Sequence, residues 1–298
     1  MKQIAIIAPT ASGKTALSIK LAHQTNSIIL SLDSLSIYKE IDISSAKPTL
    51  RERDGIVHFG IDEIYPDDKF DVVKFIEIYT KAKKYASANR KNLIIVGGTG
   101  FYLKAMIDGI SQSPNIAKQT QDIINEKLTN LEQTYNFLYQ LDPKYMSSIK
   151  PQDSYRIEKA LGIYLETSLP PSQYFVQNPP LITIKRDEID LFEIVWDRDE
   201  LRKRIALRTK IMIESGLIDE AIFLEQKYSR GIAPMVSIGL KEALEYLDGK
   251  INKQRLEEKI AFATNGLAKR QRTFNNGQFS NVIQDELANL ENTILKYF

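Results

Sequence analysis

Residues 8–15 read Ala-Pro-Thr-Ala-Ser-Gly-Lys-Thr, between a short apolar run, Ile4 to Ile7, and a stretch with helical spacing over residues 14–24. This segment restricts the fold more than any other. A loop of this kind works when a buried strand precedes it and a helix follows it, so that loop N–H groups and the positive helix end point at one anion. It matches the phosphate-loop pattern G-x-x-x-x-G-K-[ST] at Gly13, Lys14 and Thr15, with Ala8 in place of the first glycine. Ala8, Pro9, Thr10, Ala11, Ser12, Gly13, Lys14 and Thr15 are therefore the candidate cradle for a diphosphate or triphosphate. Lys14 supplies a point charge there. Thr15 supplies a hydroxyl suited to Mg²⁺, the cofactor this loop implies.

The rest of the chain alternates. Strand-like runs at 27–32, 56–61, 92–96 and 191–196, with helical spacing over 14–24 and 101–107, predict an α/β, P-loop NTPase-like core with a parallel sheet flanked by helices. Residues 111–185 differ: they are polar, read as helices over 116–130, 132–141 and 154–166, and end near Pro170-Pro171 and Pro179-Pro180. They predict a small all-helical insertion domain, leaving 1–110 and 186–298 as the core. From Asp199 onward the chain reads as all-helical, over 200–215, 217–228, 240–247 and 254–272.

Composition removes several chemistries. There are no cysteines, so disulfides and thiolate zinc sites are excluded, and His23 and His58 alone do not make a histidine metal cage. No apolar run approaches the ~20 residues of a membrane helix, and the start shows no cleavable signal pattern, so a cytoplasmic protein is expected. The net charge is only +2, but basic residues cluster: Arg198, Arg202, Lys203, Arg204, Arg208 and Lys210, then Lys269, Arg270 and Arg272. Such patches can contact phosphates while the chain as a whole stays near neutral.

Eighteen residues after Thr15 comes Asp33-Ser34-Leu35-Ser36-Ile37-Tyr38, which puts a carboxylate at the end of the next strand. A phosphate loop alone implies an NTPase or a kinase. An ATPase would usually end a further apolar strand in a metal-binding aspartate. Here the run 93–96 ends in Gly97-Gly98-Thr99-Gly100, with no acid and with Thr99 offering a hydroxyl. The glycines permit close approach of another group.

Further segments follow in order: DISSAKPT at 42–49, VGGTGFYLK at 96–104, YRIEKALGIY at 155–164, RIALRTKIMIESGL at 204–217, SIGLKE at 237–242 and AKRQRTF at 268–274. With the two N-terminal segments, this series resembles the bacterial tRNA dimethylallyltransferases and spans nearly the whole chain. The resemblance implies transfer of a dimethylallyl group from dimethylallyl diphosphate to N6 of adenosine 37, beside the anticodon, in tRNAs reading codons that start with U. The loop would then hold the diphosphate of a prenyl donor.

By the same resemblance Asp33 is the general base, with Thr99 positioning the amine, and Arg204 and Arg208, four apart on one helix face, clamp the diphosphate. The implied tRNA contacts are Asp33, Ser34, Leu35, Ser36, Thr99, Lys118, Gln121, Tyr155, Arg156, Lys159, Lys241, Lys269, Arg270 and Gln271. Partners are thus dimethylallyl diphosphate and the anticodon stem-loop of tRNA, with no membrane, and a monomer is expected. The chain departs from the family pattern at Ala8, at Ser44 for glycine, at His58-Phe59-Gly60-Ile61-Asp62, at Leu240 for tyrosine and at Phe274 for tryptophan; His58 reads as a core or positioning residue. The rival readings are a P-loop kinase acting on a small molecule, a prenyltransferase for free adenine nucleotide, and a non-catalytic RNA-binding protein.

Overall fold

Strand β1 (Gln3–Ile7) is buried at every position, as a central strand covered on both faces must be. In the computed structural model, which describes residues 1–298, it is followed by α1 (Lys14–Gln24), β2 (Ser27–Leu32), β3 (His58–Phe59), α2 (Val72–Ala88), β4 (Asn92–Gly97) and α3 (Gly100–Asp108). Next come α4 (Lys118–Leu128), α5 (Leu131–Leu141), α6 (Pro143–Met146), α7 (Ser154–Thr167) and α8 (Pro171–Gln177). The chain finishes with β5 (Asp190–Val195), α9 (Arg198–Glu214), α10 (Leu217–Tyr228), α11 (Leu240–Leu247), α12 (Lys253–Gln278), β6 (Ile283–Glu286) and α13 (Leu287–Leu295). Residues 1–107 with 184–298 form one unit, and residues 108–183 a second.

The first unit holds a six-stranded sheet in the order β3-β2-β4-β1-β5-β6, parallel throughout. Because side chains alternate across a strand, each strand feeds two cores. Ala5, Ile7, Leu30, Ile95 and Leu191 face a cluster that takes in Phe75 and Tyr79 of α2, Leu224 of α10 and Ile260 of α12. Ile4, Ile6, Ile29, Ile94 and Phe192 face the other, closed by Leu17 and Leu21 of α1 and Leu290 and Ile294 of α13. Full burial of each Ile, Leu or Phe side chain among these stabilises by roughly 1.5–3 kcal/mol. The loops leaving β1 and β4, adjacent strands, therefore open side by side at the carboxyl edge of the sheet, where parallel α/β sheets place their ligands.

Two expectations need correction. The run at 56–61 pairs over His58–Phe59 alone, because Gly60 turns left-handed (φ 76°) and ends the ladder. The C-terminal part is not all-helical: β6 pairs Phe192 with Ile283 and Val195 with Glu286 along β5. Its sequence, Ile-Gln-Asp-Glu, is half-exposed edge strand, whose polar residues carry no apolar run to find. Helix α2 also went unread; its N-cap is Asp71, whose side chain accepts from the Lys74 N–H.

The second unit is helical, with one isolated antiparallel bridge, Ile110 to Leu181. Ile124, Leu138, Met146, Ile149, Ile157, Ala160 and Leu161 form its core. Asn130, Asp142 and Asp153 cap α5, α6 and α7 with their side chains, each worth about 1 kcal/mol. Gly162 of α7 leaves room for Ile116 and Ile124, whose methyls would lie 3.2 and 3.5 Å from a Cβ there.

Candidate active site

The loop between β1 and α1 turns at two left-handed residues, Ala11 (φ 63°) and Gly13 (φ 87°). A side chain at Gly13 would be strained by that φ and would also meet Leu287 at 2.8 Å. Three of the loop carbonyls are already engaged. Lys14 Nζ donates to the Pro9 carbonyl at 3.2 Å, Arg204 Nε to Ala11 at 2.7 Å and the Trp196 indole to Ser12 at 3.0 Å. Arg208 Nη1 donates to the Thr10 hydroxyl at 2.9 Å, and Thr10 N–H donates to Gln271 Oε1 at 3.1 Å. While these carbonyls are engaged, the N–H groups of Ala11, Ser12 and Gly13 find no acceptor in the protein. This is a nest of donors waiting for an anion. Arg204 also lies over the Trp196 ring, 4.5 Å from its centroid, which fixes the guanidinium plane.

The site's electrostatics agree. Burial, then repulsion from Arg208, pushes the Lys14 ammonium down to about 8, with Asp33 partly opposing the drop. Burial also lowers the Arg208 pKa, again against the attraction of Asp33. Two desolvated cations beside one carboxylate gain most when a multiply charged anion arrives.

Asp33 follows β2 directly. Its Oδ1 accepts from the N–H groups of Leu35 at 2.8 Å and Ser36 at 3.1 Å. The aspartate thus closes its own turn with one oxygen, and Oδ2 is free of protein donors. Thr99 is held by its backbone, whose N–H donates to the Leu32 carbonyl at 3.1 Å. A Cβ at Gly97 would overlap that same Leu32 carbonyl, and one at Gly98 would overlap the Gln271 amide. The Gly-Gly pair therefore exists so that β2 on one side and α12 on the other can close against this strand end.

These groups surround one cavity of about 240 Å³, lined by Thr10, Lys14, Thr15, Asp33, Thr99, Arg208 and Gln271, with Ile29, Ile61, Val96, Ile205, Met212 and Ile260 as apolar wall. Arg204 lines an adjoining pocket with Ala11, Ser12 and Gly13, and Lys14, Thr15 and Arg208 border both spaces. Sequence reading missed Trp196, Glu220, Lys47 and Asn275. Trp196 is the chain's single tryptophan, placed just before the arginine-rich helix, and that position was the available signal. Glu220 of α10 accepts from three successive backbone N–H groups, Asp42, Ile43 and Ser44, at 2.7, 2.7 and 2.9 Å. Buried Lys47 joins Asp42, Asp62 and the Tyr38 carbonyl, fixing the same cavity wall.

A family model described as IPP transferase matches residues 36–278. The tRNA dimethylallyltransferase of Aliarcobacter butzleri is 57% identical over 298 residues, covering 100% of this chain and 99% of that protein. That of a Sulfurovum species is 52% identical over 296 residues, covering 99% and 98%. The chain belongs to the IPP transferase family. Among solved structures, the full-length tRNA isopentenylpyrophosphate transferase of Bacillus halodurans superposes with a TM-score of 0.71 at 28% identity, over 99% of this chain and 96% of that one. A eukaryotic dimethylallyltransferase acting on tRNA gives 0.82 at 25% identity, over 98% of this chain and 76% of that one.

In this IPP transferase the departures from the family pattern find local reasons. Ala8 is fully buried and keeps a negative φ, so the missing glycine costs no strain. Leu240 lies fully buried in the core. Phe274 stands against Gly100, where an added Cβ would come within 3.0 Å of its ring. His58 is half-buried in the cavity wall; Nδ1 faces the Ile56 carbonyl at 2.8 Å and burial lowers its pKa, so it sits there neutral.

The other expected contacts divide between the two units. Ser34, Leu35 and Ser36 flank Asp33, and Gln271 reaches the loop, while Lys241, Lys269 and Arg270 are exposed on α11 and α12. On the helical unit, Lys118 opens α4 and Gln121 bonds Asn125 at 3.1 Å. Tyr155, two-thirds exposed, and Arg156 and Lys159 belong to α7, with Lys159 over the Tyr155 ring and Arg156 paired to Asp153.

The donor set suits a divalent cation that arrives with phosphate. There is no cluster of three or more carboxylates or histidines to bind one alone. The Thr15 hydroxyl on the same cavity would add one protein oxygen to a shell completed by phosphate and water, as Mg²⁺ prefers.

Proposed function

We propose that this chain transfers a dimethylallyl group from dimethylallyl diphosphate to N6 of adenosine 37 in the anticodon loop of tRNAs reading codons that start with U. The observation that carries the reading is the joint placement of the phosphate loop and Asp33 on one cavity that also has an apolar wall. The loop N–H groups, Lys14, Arg204 and Arg208 take the diphosphate, with Arg204 also bracing the loop through the Ala11 carbonyl. The apolar wall accommodates the prenyl chain. The acceptor purine enters unstacked, since its amine lies out of reach within a folded loop.

As N6 attacks C1 of the donor, a C–N bond forms and the C1–O bond breaks. The bonding pair leaves with the diphosphate, where charge accumulates against Lys14, Arg208 and the loop dipoles. N6 becomes acidic as it alkylates, and its proton passes to Asp33 Oδ2, the oxygen not occupied by the turn. Thr99 positions the amine. Mg²⁺, held by Thr15, would neutralise part of the leaving group's charge.

The RNA contacts assigned to Lys118, Gln121, Tyr155, Arg156, Lys159, Lys241, Lys269, Arg270 and Gln271 belong to the same proposal, as do action as a monomer and a cytoplasmic location. Purified protein with Mg²⁺, unmodified tRNA and labelled dimethylallyl diphosphate tests it. Label should enter tRNA with release of one diphosphate per adduct and without ATP. ATP hydrolysis with unlabelled tRNA, or label entering free adenine nucleotide alone, would overturn it.

A further inference from the structure

A second cavity, about 600 Å³, opens between α9 and α12 beside β5 and β6. Its walls carry Arg198 and Arg202 from α9 and Lys269 and Arg272 from α12. Of these only Arg202 has a carboxylate, Asp199 at 3.0 Å on the surface. The one acid in the lining, Glu193, is held by neutral amides: one oxygen accepts from Asn275 and the other from Gln284. Four cations thus line a cleft with a single acid among them.

The α12 side of the cleft is one helical face, Phe262, Gly266, Lys269 and Arg272, at the three-and-four spacing that aligns side chains. Phe262 is 82% exposed and stacks on no other ring of the protein. One turn later Gly266 leaves the helix surface bare; a Cβ there would touch only Arg270 Nη1, at 3.5 Å. An exposed ring, a bare strip of backbone and a row of cations at helical spacing form a stacking platform with a phosphate track, the combination single-stranded nucleic acid requires. Acidic protein surfaces would use the cations but not the ring and the bare strip.

We infer that the α9–α12 cleft binds an unpaired nucleotide of the RNA loop that also presents the acceptor base. The base stacks on Phe262 over Gly266, and its phosphates run along Arg198, Arg202, Lys269 and Arg272. The inference rests on the transfer reading above and assigns its RNA a second point of attachment. The two cavities share α12: Gln271 lines the transfer cavity, while Lys269 and Arg272 turn to the cleft. A helix with side chains is about 10–12 Å across, a gap that a short unstacked stretch of loop bridges. Holding a neighbouring base out of the stack would favour the extruded state of the acceptor.

The test uses the full chain and an anticodon stem-loop RNA. Binding is read by fluorescence anisotropy without donor, and transfer by label incorporation. Phe262→Ala should weaken binding about tenfold, with the loss appearing in KM for RNA, and Phe262→Tyr should restore it. Among stem-loops carrying a single abasic position, one should bind the wild type about tenfold more weakly yet lose nothing further with Phe262→Ala. Arg198→Ala with Arg202→Ala should flatten the salt dependence of binding by about 0.7 in slope per contact removed. Wild-type affinity and slope in these variants, or losses that multiply with every abasic RNA, would overturn the cleft. If the wild type binds RNA in this pattern and transfers no label, the transferase reading fails and the cleft stands.

Discussion

Trp196 donates its indole N–H to the Ser12 carbonyl at 3.0 Å while its ring carries the Arg204 guanidinium. One side chain at the end of β5 thus holds the phosphate loop twice, directly and through Arg204 on Ala11. Trp196→Phe keeps a surface for the guanidinium and removes the hydrogen bond. The loop loses a restraint worth about 1 kcal/mol, which should raise KM for dimethylallyl diphosphate roughly fivefold and lower kcat less. Steady-state kinetics with the donor varied measure it.

Asp33 has separable tasks for its two oxygens. Oδ1 closes the turn onto Leu35 and Ser36, and Oδ2 is assigned the proton from N6. Asp33→Asn can keep the first and must lose the second, because an amide is not a base. Transfer should fall by roughly 10² to 10⁴, with RNA affinity and thermal stability close to wild type. Asp33→Ala should lose the turn as well and melt lower. Equal transfer rates in wild type and Asp33→Asn would remove Asp33 from the chemistry.

Lys14 gives the site a pH signature. The unfolded chain keeps the lysine proton to about pH 10.5, the folded one only to about 8. Between those values the unfolded state binds more protons, so this group makes stability rise with pH. Ligand-free protein should therefore gain melting temperature from pH 8 towards 10 through Lys14, and Lys14→Met should abolish that gain along with transfer. Bound diphosphate reverses the picture by favouring the ammonium, so KM for the donor should climb above pH 8. Melting curves of the ligand-free protein across pH 7 to 10 read the first effect, and KM for the donor over the same range reads the second.

Much of this site was visible in the chain because its chemistry is local. The loop, the turn after β2 and the Gly-Gly-Thr-Gly strand end each declare themselves within a few residues, and β1, β2, β4 and β5 are apolar runs. What holds the loop is not local. Trp196 lies 184 residues from Ser12, and Gln271 lies 261 from Thr10, and no periodicity links such pairs. Edge strand β6 escaped for a different reason: half its residues face solvent, so it lacks the apolar signature of the strands it joins.

Glu220 gives a stability prediction at a distance from the chemistry. Its carboxylate collects three backbone N–H groups at the start of the 42–49 segment, and that segment supplies Ser44, Ser45, Ala46, Lys47 and Pro48 to the cavity wall. Glu220→Ala leaves these donors without their acceptor. Because Asp42 is exposed and water can replace part of the loss, the cost should be about 1–3 kcal/mol in denaturant unfolding. Transfer should drop through kcat/KM, and Glu220→Gln, able to accept from part of the set, should fall in between.

Gly98 and Gln271 should behave as one unit. A methyl at position 98 would overlap the Gln271 amide, and that amide holds the Thr10 N–H of the loop. Gly98→Ala should therefore act by pushing Gln271 away, loosening the loop much as Gln271→Ala does by deletion. If so, the double variant has no clash left to relieve, and its loss should equal that of Gln271→Ala alone. Contacting residues that work through a shared bond show this non-additivity. A cycle of kcat/KM values for the donor across the four proteins measures it, and independent losses that multiply would mean that Gly98 serves the site by another route, through the nearby Ala8 carbonyl.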